Sequence, residues 1–152
     1  MSKELITIFI ALSPFSELRG AIPVAIGIFH FSWPKALILS IFGNIIFIIP
    51  LMWFLEKFSD FLMQKSIFWE NFFNWLFQRT RNKIDTNYKK YSHWALTIFV
   101  AIPLPMTGAW TGSVAAYLLG LNKKEAFVYI SLGVVIAGII VTLLTLLGKK
   151  VI

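Results

Sequence analysis

The sequence predicts an all-α integral membrane protein, a single domain over residues 1–152 that contains two inverted repeats. Three observations predict this class. Apolar residues make up 58% of the chain and charged residues only 14%, with a mean hydropathy of +0.77, whereas a soluble domain has about 25% charged residues. Uncharged runs long enough to span a bilayer recur along the chain. Two other apolar stretches are interrupted by polar segments that contain proline and glycine, and the two halves share one order of elements.

The net charge of +7 does not indicate a nucleic-acid partner. The basic residues flank apolar runs, as the positive-inside rule describes for membrane proteins. The chain has no cysteine, and its two histidines, His30 and His93, lie far apart, at the ends of apolar runs. No nucleophile motif or phosphate-binding loop is present in the sequence. We therefore expect no metal site, no cofactor and no enzymatic activity.

The first apolar element is broken in the middle. Two apolar segments, 5–15 and 21–31, each contain 11 residues. A helix of this length is roughly 16 Å long, about half the thickness of a bilayer. Pro14 and Pro23 bracket the gap, and proline interrupts helical hydrogen bonding. Two half-length helices around a polar tip predict a re-entrant hairpin. The alternative is one kinked helix that spans the membrane.

The polar tip of this hairpin contains two charges. Glu17 and Arg19 are the only formal charges between Glu4 and Lys35, and Gly20 follows directly. Charged residues inside a membrane usually face a protein interior or a water-filled cavity, and they pair with each other. This pattern is typical of a transport site on broken backbone. The alternative is a structural ion pair that holds the tip.

Residues 36–55 give 20 uncharged residues, the length of a full membrane span. Asn44 lies near the middle and needs a partner there, and Gly43 beside it permits close approach of another backbone. Two interpretations of Asn44 stay open, a hydrogen bond between packed helices and a contact with substrate.

The segment 56–93 has a different composition. It contains seven basic residues interleaved with aromatic and aliphatic residues, many at spacings of three and four. This spacing predicts amphipathic helix, and aromatic rings flanked by cations favour the headgroup region. We expect this linker to lie on the membrane surface.

A second broken element occupies residues 94–121, which carry no formal charge. Its centre combines prolines, glycines and hydroxyl residues that do not favour regular helix. The residues concerned are Pro103, Pro105, Thr107, Gly108, Thr111, Gly112 and Ser113. Asn122 and Glu125 then form a predicted capping box, and residues 126–147 give a second full span.

The halves match as repeats, with repeat 1 over 4–55, the linker over 56–93 and repeat 2 over 94–148. Pro14 precedes Pro103 by 89 positions, and Gly43 precedes Gly133 by 90. If both broken elements re-enter, the single span between them gives the halves opposite orientations, as in secondary transporters. The balance of basic residues puts the linker in the cytoplasm and both termini outside the cell membrane. If both elements span instead, the termini also lie inside.

The motifs at the two breaks resemble the small multi-drug export protein family of bacteria and archaea, which is related in outline to DedA membrane proteins. The matching segments are Glu17 to Pro23, Gly43-Asn44 and Pro103 to Gly112. The resemblance implies a transporter and includes Gly20, Gly108 and Trp110 among the motif residues. The DedA relation implies re-entrant hairpins, proton coupling and recycling of lipid carrier phosphates. Unlike the DedA pattern, the second motif here has no arginine.

These observations predict a small secondary transporter, proton-coupled, that exports or translocates a small or amphiphilic substrate. Glu17 is the predicted proton-titrating group, with Arg19 beside it, and Thr107 and Thr111 are predicted to contact substrate together with Ser113. One alternative is a DedA-like flippase in which Arg19 grips a lipid phosphate. Another is a membrane structural or assembly protein without transport.

The partners that we expect are membrane lipids, protons, and a small-molecule or lipid substrate. A second copy of the chain is also expected, because 152 residues provide little wall around a pathway. The sequence therefore predicts a homodimer or a larger homo-oligomer.

Overall fold

The structure is a computed structural model that describes residues 2–82, 86–104 and 107–151. All regular structure in these ranges is helical, which confirms the predicted all-α class. The helices are α1 (Lys3–Leu12), α2 (Glu17–Gly27), α3 (Trp33–Ile45), α4 (Ile48–Lys65), α5 (Ile67–Arg81), α6 (Thr86–Ala101), α7 (Ala109–Leu118) and α8 (Lys123–Val151).

The first half folds as a helical hairpin followed by a third helix. Residues 13–16 separate α1 from α2. An ion pair of 2.7 Å joins Glu4, near the start of α1, to Lys35, near the start of α3. Further along both helices, Gly43 of α3 lies against the carbonyl of Ile8 in α1. α1 and α3 are therefore parallel, and α2 returns the chain to the side on which it began.

Pro14 lies in the break between α1 and α2, but the expectation that Pro23 breaks the element is wrong. α2 runs through Pro23 without ending. The ring removes one hydrogen bond, the one to the carbonyl of Arg19. Ile22 and Ala25, on either side of the proline, are fully buried, so tertiary packing holds the helix together across the missing bond.

The predicted span over residues 36–55 is not one regular helix. A turn at Ile46 and Phe47 divides it into α3 and α4. Pro50, in the first turn of α4, accounts for the position of the turn, because its ring excludes a helical carbonyl at Ile46. α4 also continues to Lys65, ten residues past the expected end at Leu55.

The second half also contains two parallel helices. α6 and α8 are parallel, because His93 lies 3.0 Å from Glu125 and Thr97 donates a hydrogen bond of 2.9 Å to the carbonyl of Tyr129. Pro103 lies in the break between α6 and α7, whereas Pro105 lies outside the described residues.

The start of α8 follows the predicted capping box only in part. The side chain of Asn122 accepts a hydrogen bond of 3.0 Å from the backbone of Lys124, as an N-cap does. Glu125, however, pairs with His93 instead of reaching back to Asn122. The competing partner comes from α6 and is invisible to a local sequence pattern.

The linker between the halves contains the amphipathic helix α5, in which no residue is buried. Its aromatic rings form a chain of edge and tilted contacts, including those between Trp69, Phe72 and Phe73. Phe77 packs edge-on against Tyr117 of α7 at a centroid distance of 5.6 Å. α5 therefore packs against α7 of the second half through Phe77, and most of its other aromatic side chains are exposed.

The core is built largely from small side chains, which let helices approach closely. Leu37 and Ile41 of α3 contact Gly138 of α8, and Asn44 lies in the same gap as Val134. Later positions in α3 thus meet earlier positions in α8, so these two helices are antiparallel. Two helical stretches, Trp33–Lys65 and Lys123–Lys150, are long and apolar enough to cross a membrane, and their most apolar 18-residue windows have mean hydropathies of 2.3 and 2.7.

Candidate functional site

Glu17 begins α2 and points at the other half of the protein. Its side chain is buried, with the whole residue 6% exposed. The backbone N–H of Trp110 donates to Glu17 Oε1 at 3.3 Å. Since Trp110 is the second residue of α7, the carboxylate sits at the positive, N-terminal end of that helix. Glu17 also has a left-handed backbone with φ of 47°, which costs a non-glycine residue about 1–2 kcal/mol.

Gly108 is the N-cap of α7 and provides the space that this carboxylate occupies. Its φ of 166° is extended backbone that any residue adopts, so positive φ is not the reason for a glycine here. A Cβ at this position would lie 2.5 Å from Glu17 Cδ and 2.6 Å from Oε1. The glycine is required by close approach of the carboxylate.

Arg19 also reaches into the second half. Its guanidinium donates to the carbonyl of Leu104 and, at 3.0 Å, to the hydroxyl oxygen of Thr107. The Thr107 hydroxyl is itself within hydrogen-bond distance of the carbonyl of Ile102, at 2.6 Å. Arg19 therefore satisfies polar backbone that the break at Pro103 has freed.

Glu17 and Arg19 form no ion pair with each other, although both are described. The expected pairing is wrong because each charge finds a partner in the second half. Glu17 bonds at the start of α7, and Arg19 bonds in the loop before it. We call this contact between the two hairpin tips the junction. Two opposite charges thus hold together the tips of the two hairpins.

Trp110 adds two further contacts to this junction. Its indole N–H donates to the carbonyl of Leu12, at the end of α1, at 3.0 Å. Its ring packs on Phe47 with centroids 4.4 Å apart and an interplanar angle of 31°. Phe47 lies at the turn between α3 and α4, so one side chain joins the first tip, the second tip and the break in α3–α4.

Asn44 lies beside Glu17 and is 2% exposed. Neither its amide nitrogen nor its amide oxygen makes a hydrogen bond of normal distance and angle, but the side chain lies close enough to the Glu17 carboxylate to interact with it. It lines a gap together with Glu17, Arg19, Gly108 and Ala109, and this gap has no room for a water molecule. The junction is therefore closed, and it contains a buried amide that interacts with Glu17 without a hydrogen bond of normal geometry.

Three other predicted residues do not face Glu17 through their polar groups. Gly20 packs inside its own hairpin, where a Cβ would lie 2.7 Å from Ser16 Cβ. The Thr111 hydroxyl donates to the carbonyl of Gly108 at 3.3 Å, and Ser113 donates to that of Ala109 at 2.6 Å. The hydroxyls of α7 are thus satisfied within the helix and its cap.

Sequence reasoning missed Leu12 and Phe47, which receive Trp110. A carbonyl at the end of α1 has no sequence signal, but an aromatic three residues before Pro50 marks a packing position at the turn. It also missed the ties between α4 and the second half. Ser59 is hydrogen-bonded to Tyr117, and Lys123 forms an ion pair with Glu56.

Among the described residues, no three His, Cys, Asp or Glu side chains are grouped closely enough to hold a metal ion. The polar groups that do converge are one carboxylate, one guanidinium, one amide, one hydroxyl and the backbone donors of a helix start. Such a set can bind a proton, and it can bind a charged or hydrogen-bonding group of a small molecule.

The fold and the site define a small all-helical membrane protein with a closed polar junction between its broken helices. The chain belongs to the family described as "Putative small multi-drug export protein", whose model matches residues 17–140. This match confirms the family resemblance seen in the sequence and supplies a transporter-like function. No curated protein and no solved structure gives a significant match. The relation to DedA proteins stays a prediction.

Proposed function

We propose that this protein is a proton-coupled secondary transporter, without enzymatic activity, whose proton site is Glu17 at the junction of the two hairpin tips. The observation that carries the proposal is the buried Glu17 carboxylate at the N-terminus of α7, a helix in the opposite half. A titratable group that joins two halves lets protonation change how strongly the halves hold together.

The arrangement of the helices supports an inverted repeat. α1 is parallel to α3 and α6 is parallel to α8, while α3 and α8 run in opposite directions. The repeat offsets of 88 to 90 residues pair Arg19 with Thr107 and Asn44 with Val134. Arg19 hydrogen-bonds to Thr107, and Asn44 shares a gap with Val134.

Contacts between equivalent residues are expected where a pseudo-two-fold axis passes through the molecule. In inverted-repeat transporters such an axis lies in the membrane plane, and the substrate site lies on it near the midplane. We therefore propose that both hairpins re-enter the cell membrane and that their tips meet at its centre. The linker with α5 then lies on the cytoplasmic surface, and both termini lie outside.

Protonation provides the coupling in this proposal. A carboxylate at a helix N-terminus stabilises by about 0.3–1 kcal/mol at an exposed site and up to ~2 kcal/mol when partly buried. A proton on Glu17 removes this interaction and frees the start of α7. Arg19 and Trp110 still join the tips, so the junction is loosened and not lost. A loosened junction lets the halves rock and exposes the site to one side at a time.

The closed gap supports gating more than a permanent channel, because no water fits beside Glu17 in this arrangement. Much apolar surface on α3, α4 and α8 remains uncovered. We propose that lipids cover most of it and that a second copy of the chain covers part, giving a homodimer or larger assembly.

A flux assay in proteoliposomes tests the proposal. The purified protein is reconstituted under a pH gradient, and movement of a cationic drug such as ethidium, of benzoate and of a purified lipid phosphate is followed. We expect gradient-driven movement of one class with wild-type protein and none with Glu17→Gln. A Glu17→Gln and Arg19→Gln double variant that transports under the gradient would refute proton carriage by Glu17. Both residues would then only brace the tip.

A further inference from the structure

The start of α7 is capped by a group from outside its own hairpin. Gly108 provides no side chain to cap it, and the Glu17 carboxylate takes that role from α2. Helix N-termini bind anions through free backbone donors and the positive end of the helix dipole. In the closed junction, Glu17 thus acts as an internal anion bound to a seat formed by Gly108, Ala109 and Trp110.

The charge around this seat is positive apart from Glu17. Arg19 is the only other charged residue lining the gap in the part of the chain that the structure describes. The neighbouring helices contribute Asn44 from α3, Val100 from α6, and Val134 and Ala137 from α8. When Glu17 carries a proton, Arg19 and the helix dipole are left without a countercharge nearby. The emptied seat then favours an anion and disfavours a cation.

A second observation is independent of the helix terminus. Asn44 is 2% exposed and lines the same gap, and neither of its amide atoms makes a hydrogen bond of normal distance and angle. Its side chain lies beside the Glu17 carboxylate, so withdrawal of Glu17 removes that interaction. The Nε of Arg19 is also buried without a partner. A buried polar atom without a good partner is destabilising, so such atoms favour a ligand. Asn44 Nδ2 and Arg19 Nε are both donors, and donors match a carboxylate.

We infer that the seat at the start of α7 binds the carboxylate of an organic-acid substrate when Glu17 is protonated and withdraws. This rests on the proposed function, because it names the substrate class of the same site. Arg19 provides the charge, Asn44 and the α7 backbone provide donors, and Gly108 leaves the space. One proton and one carboxylate occupy the junction together, and the cargo moves as a neutral pair whose direction follows the combined gradients.

The inference gives binding a defined pH dependence. Only protein with Glu17 protonated is competent to bind, and the apparent Kd equals the intrinsic Kd divided by the competent fraction. Above the titration range of Glu17, the apparent Kd of wild type should therefore rise about tenfold for each unit of pH. Glu17→Gln has no carboxylate to compete, so it should bind at least about tenfold more tightly at neutral pH and show no such dependence.

Equilibrium binding to the purified full chain in detergent tests this, with benzoate as the probe. Benzamide is the uncharged analogue and benzyltrimethylammonium the cationic one. Gly108→Ala in the Glu17→Gln background places a methyl group where the carboxylate should sit, and it should lower benzoate affinity at least about tenfold. Gly27→Ala is the matched control, because a Cβ there meets nothing within 4 Å. Thermal unfolding of each variant separates lost binding from lost fold.

The expected result is benzoate binding to wild type that strengthens as pH falls, pH-independent binding to Glu17→Gln, and no binding of either analogue. Binding of the cation that disappears in Glu17→Gln would overturn the inference in favour of a cation site on Glu17. Equal binding of benzoate and benzamide, or no benzoate binding at any pH, would overturn it as well. In these cases a pH-gradient flux that still needs Glu17 would leave the proposed function standing.

Discussion

Gly43 and Gly133 each lie against a neighbouring helix, and they should respond alike to substitution. A Cβ at Gly43 would lie 2.9 Å from both Ala11 Cβ and the carbonyl oxygen of Ile8, and one at Gly133 would lie 2.7 Å from Val100 Cβ and from the carbonyl oxygen of Thr97. Ordinary carbon–carbon contacts lie at about 3.5–4.0 Å. Backbone carbonyls cannot rotate away as side chains do, so each helix pair must separate by roughly 0.5–1 Å.

Gly43→Ala and Gly133→Ala should therefore each lower the free energy of unfolding by about 1–3 kcal/mol, the usual cost of overpacking. The measurement is reversible unfolding in mixed micelles by titration with a denaturing detergent. Gly148→Ala is the control, because a Cβ there meets nothing within 4 Å, and replacing a helical glycine by alanine stabilises by up to about 1 kcal/mol. If the two core variants unfold no earlier than the control, the close parallel packing of α1 on α3 and of α6 on α8 is refuted.

Three further predictions test the topology, the junction and the surface. Tags at both termini should be accessible to a reagent added outside the cell, and a tag near Thr86 should not be. If the termini prove cytoplasmic, the re-entrant hairpins are refuted in favour of kinked helices that span the membrane. Trp110→Phe should lower the free energy of unfolding by about 0.5–1.5 kcal/mol, the value of one hydrogen bond, because the ring contact with Phe47 remains. Trp53→Phe, at a position 56% exposed, is the control. Equal effects of the two substitutions would show that the indole hydrogen bond of Trp110 does not stabilise the junction. Glu4→Gln should leave stability nearly unchanged, because both partners in the Glu4–Lys35 pair are well exposed and exposed ion pairs contribute little. A clear loss of stability would mean that this pair holds the hairpin.

The sequence predicts local features well because local chemistry determines them. Pro14 and Pro103 lie in breaks, and Asn122 caps α8, as composition and spacing indicate. The prediction that Pro23 breaks the element is wrong, because the effect of a proline depends on the packing around it. The turn at Ile46 and Phe47 follows from Pro50. The uncharged run over 36–55 has the length of a full span, so it predicts one continuous helix and gives no sign of the turn.

The partners of the site residues are outside the reach of local patterns. Arg19 bonds to Thr107 across 88 residues of sequence, and Glu17 accepts from Trp110 across 93. Adjacent opposite charges suggest an ion pair, but the junction offers each charge a better partner. The helix N-terminus at Ala109 and the freed carbonyls after Ala101 appear only once the two tips meet. The predicted repeat offset of 88 residues is a sequence signal that links Arg19 to Thr107.

A thiol placed in the junction tests most directly whether Glu17 keeps it closed. The chain has no cysteine, so Ser113→Cys introduces a single thiol at a fully buried position that lines a gap beside Asn44. Ser32→Cys, at an exposed position, measures the reactivity of an open thiol under the same conditions. We predict that Cys at position 113 resists a water-soluble thiol reagent at alkaline pH and reacts faster when Glu17 is protonated or replaced by Gln. Equal, slow labelling in all three conditions, with Ser32→Cys reacting normally, would contradict the claim that the charge on Glu17 controls the junction.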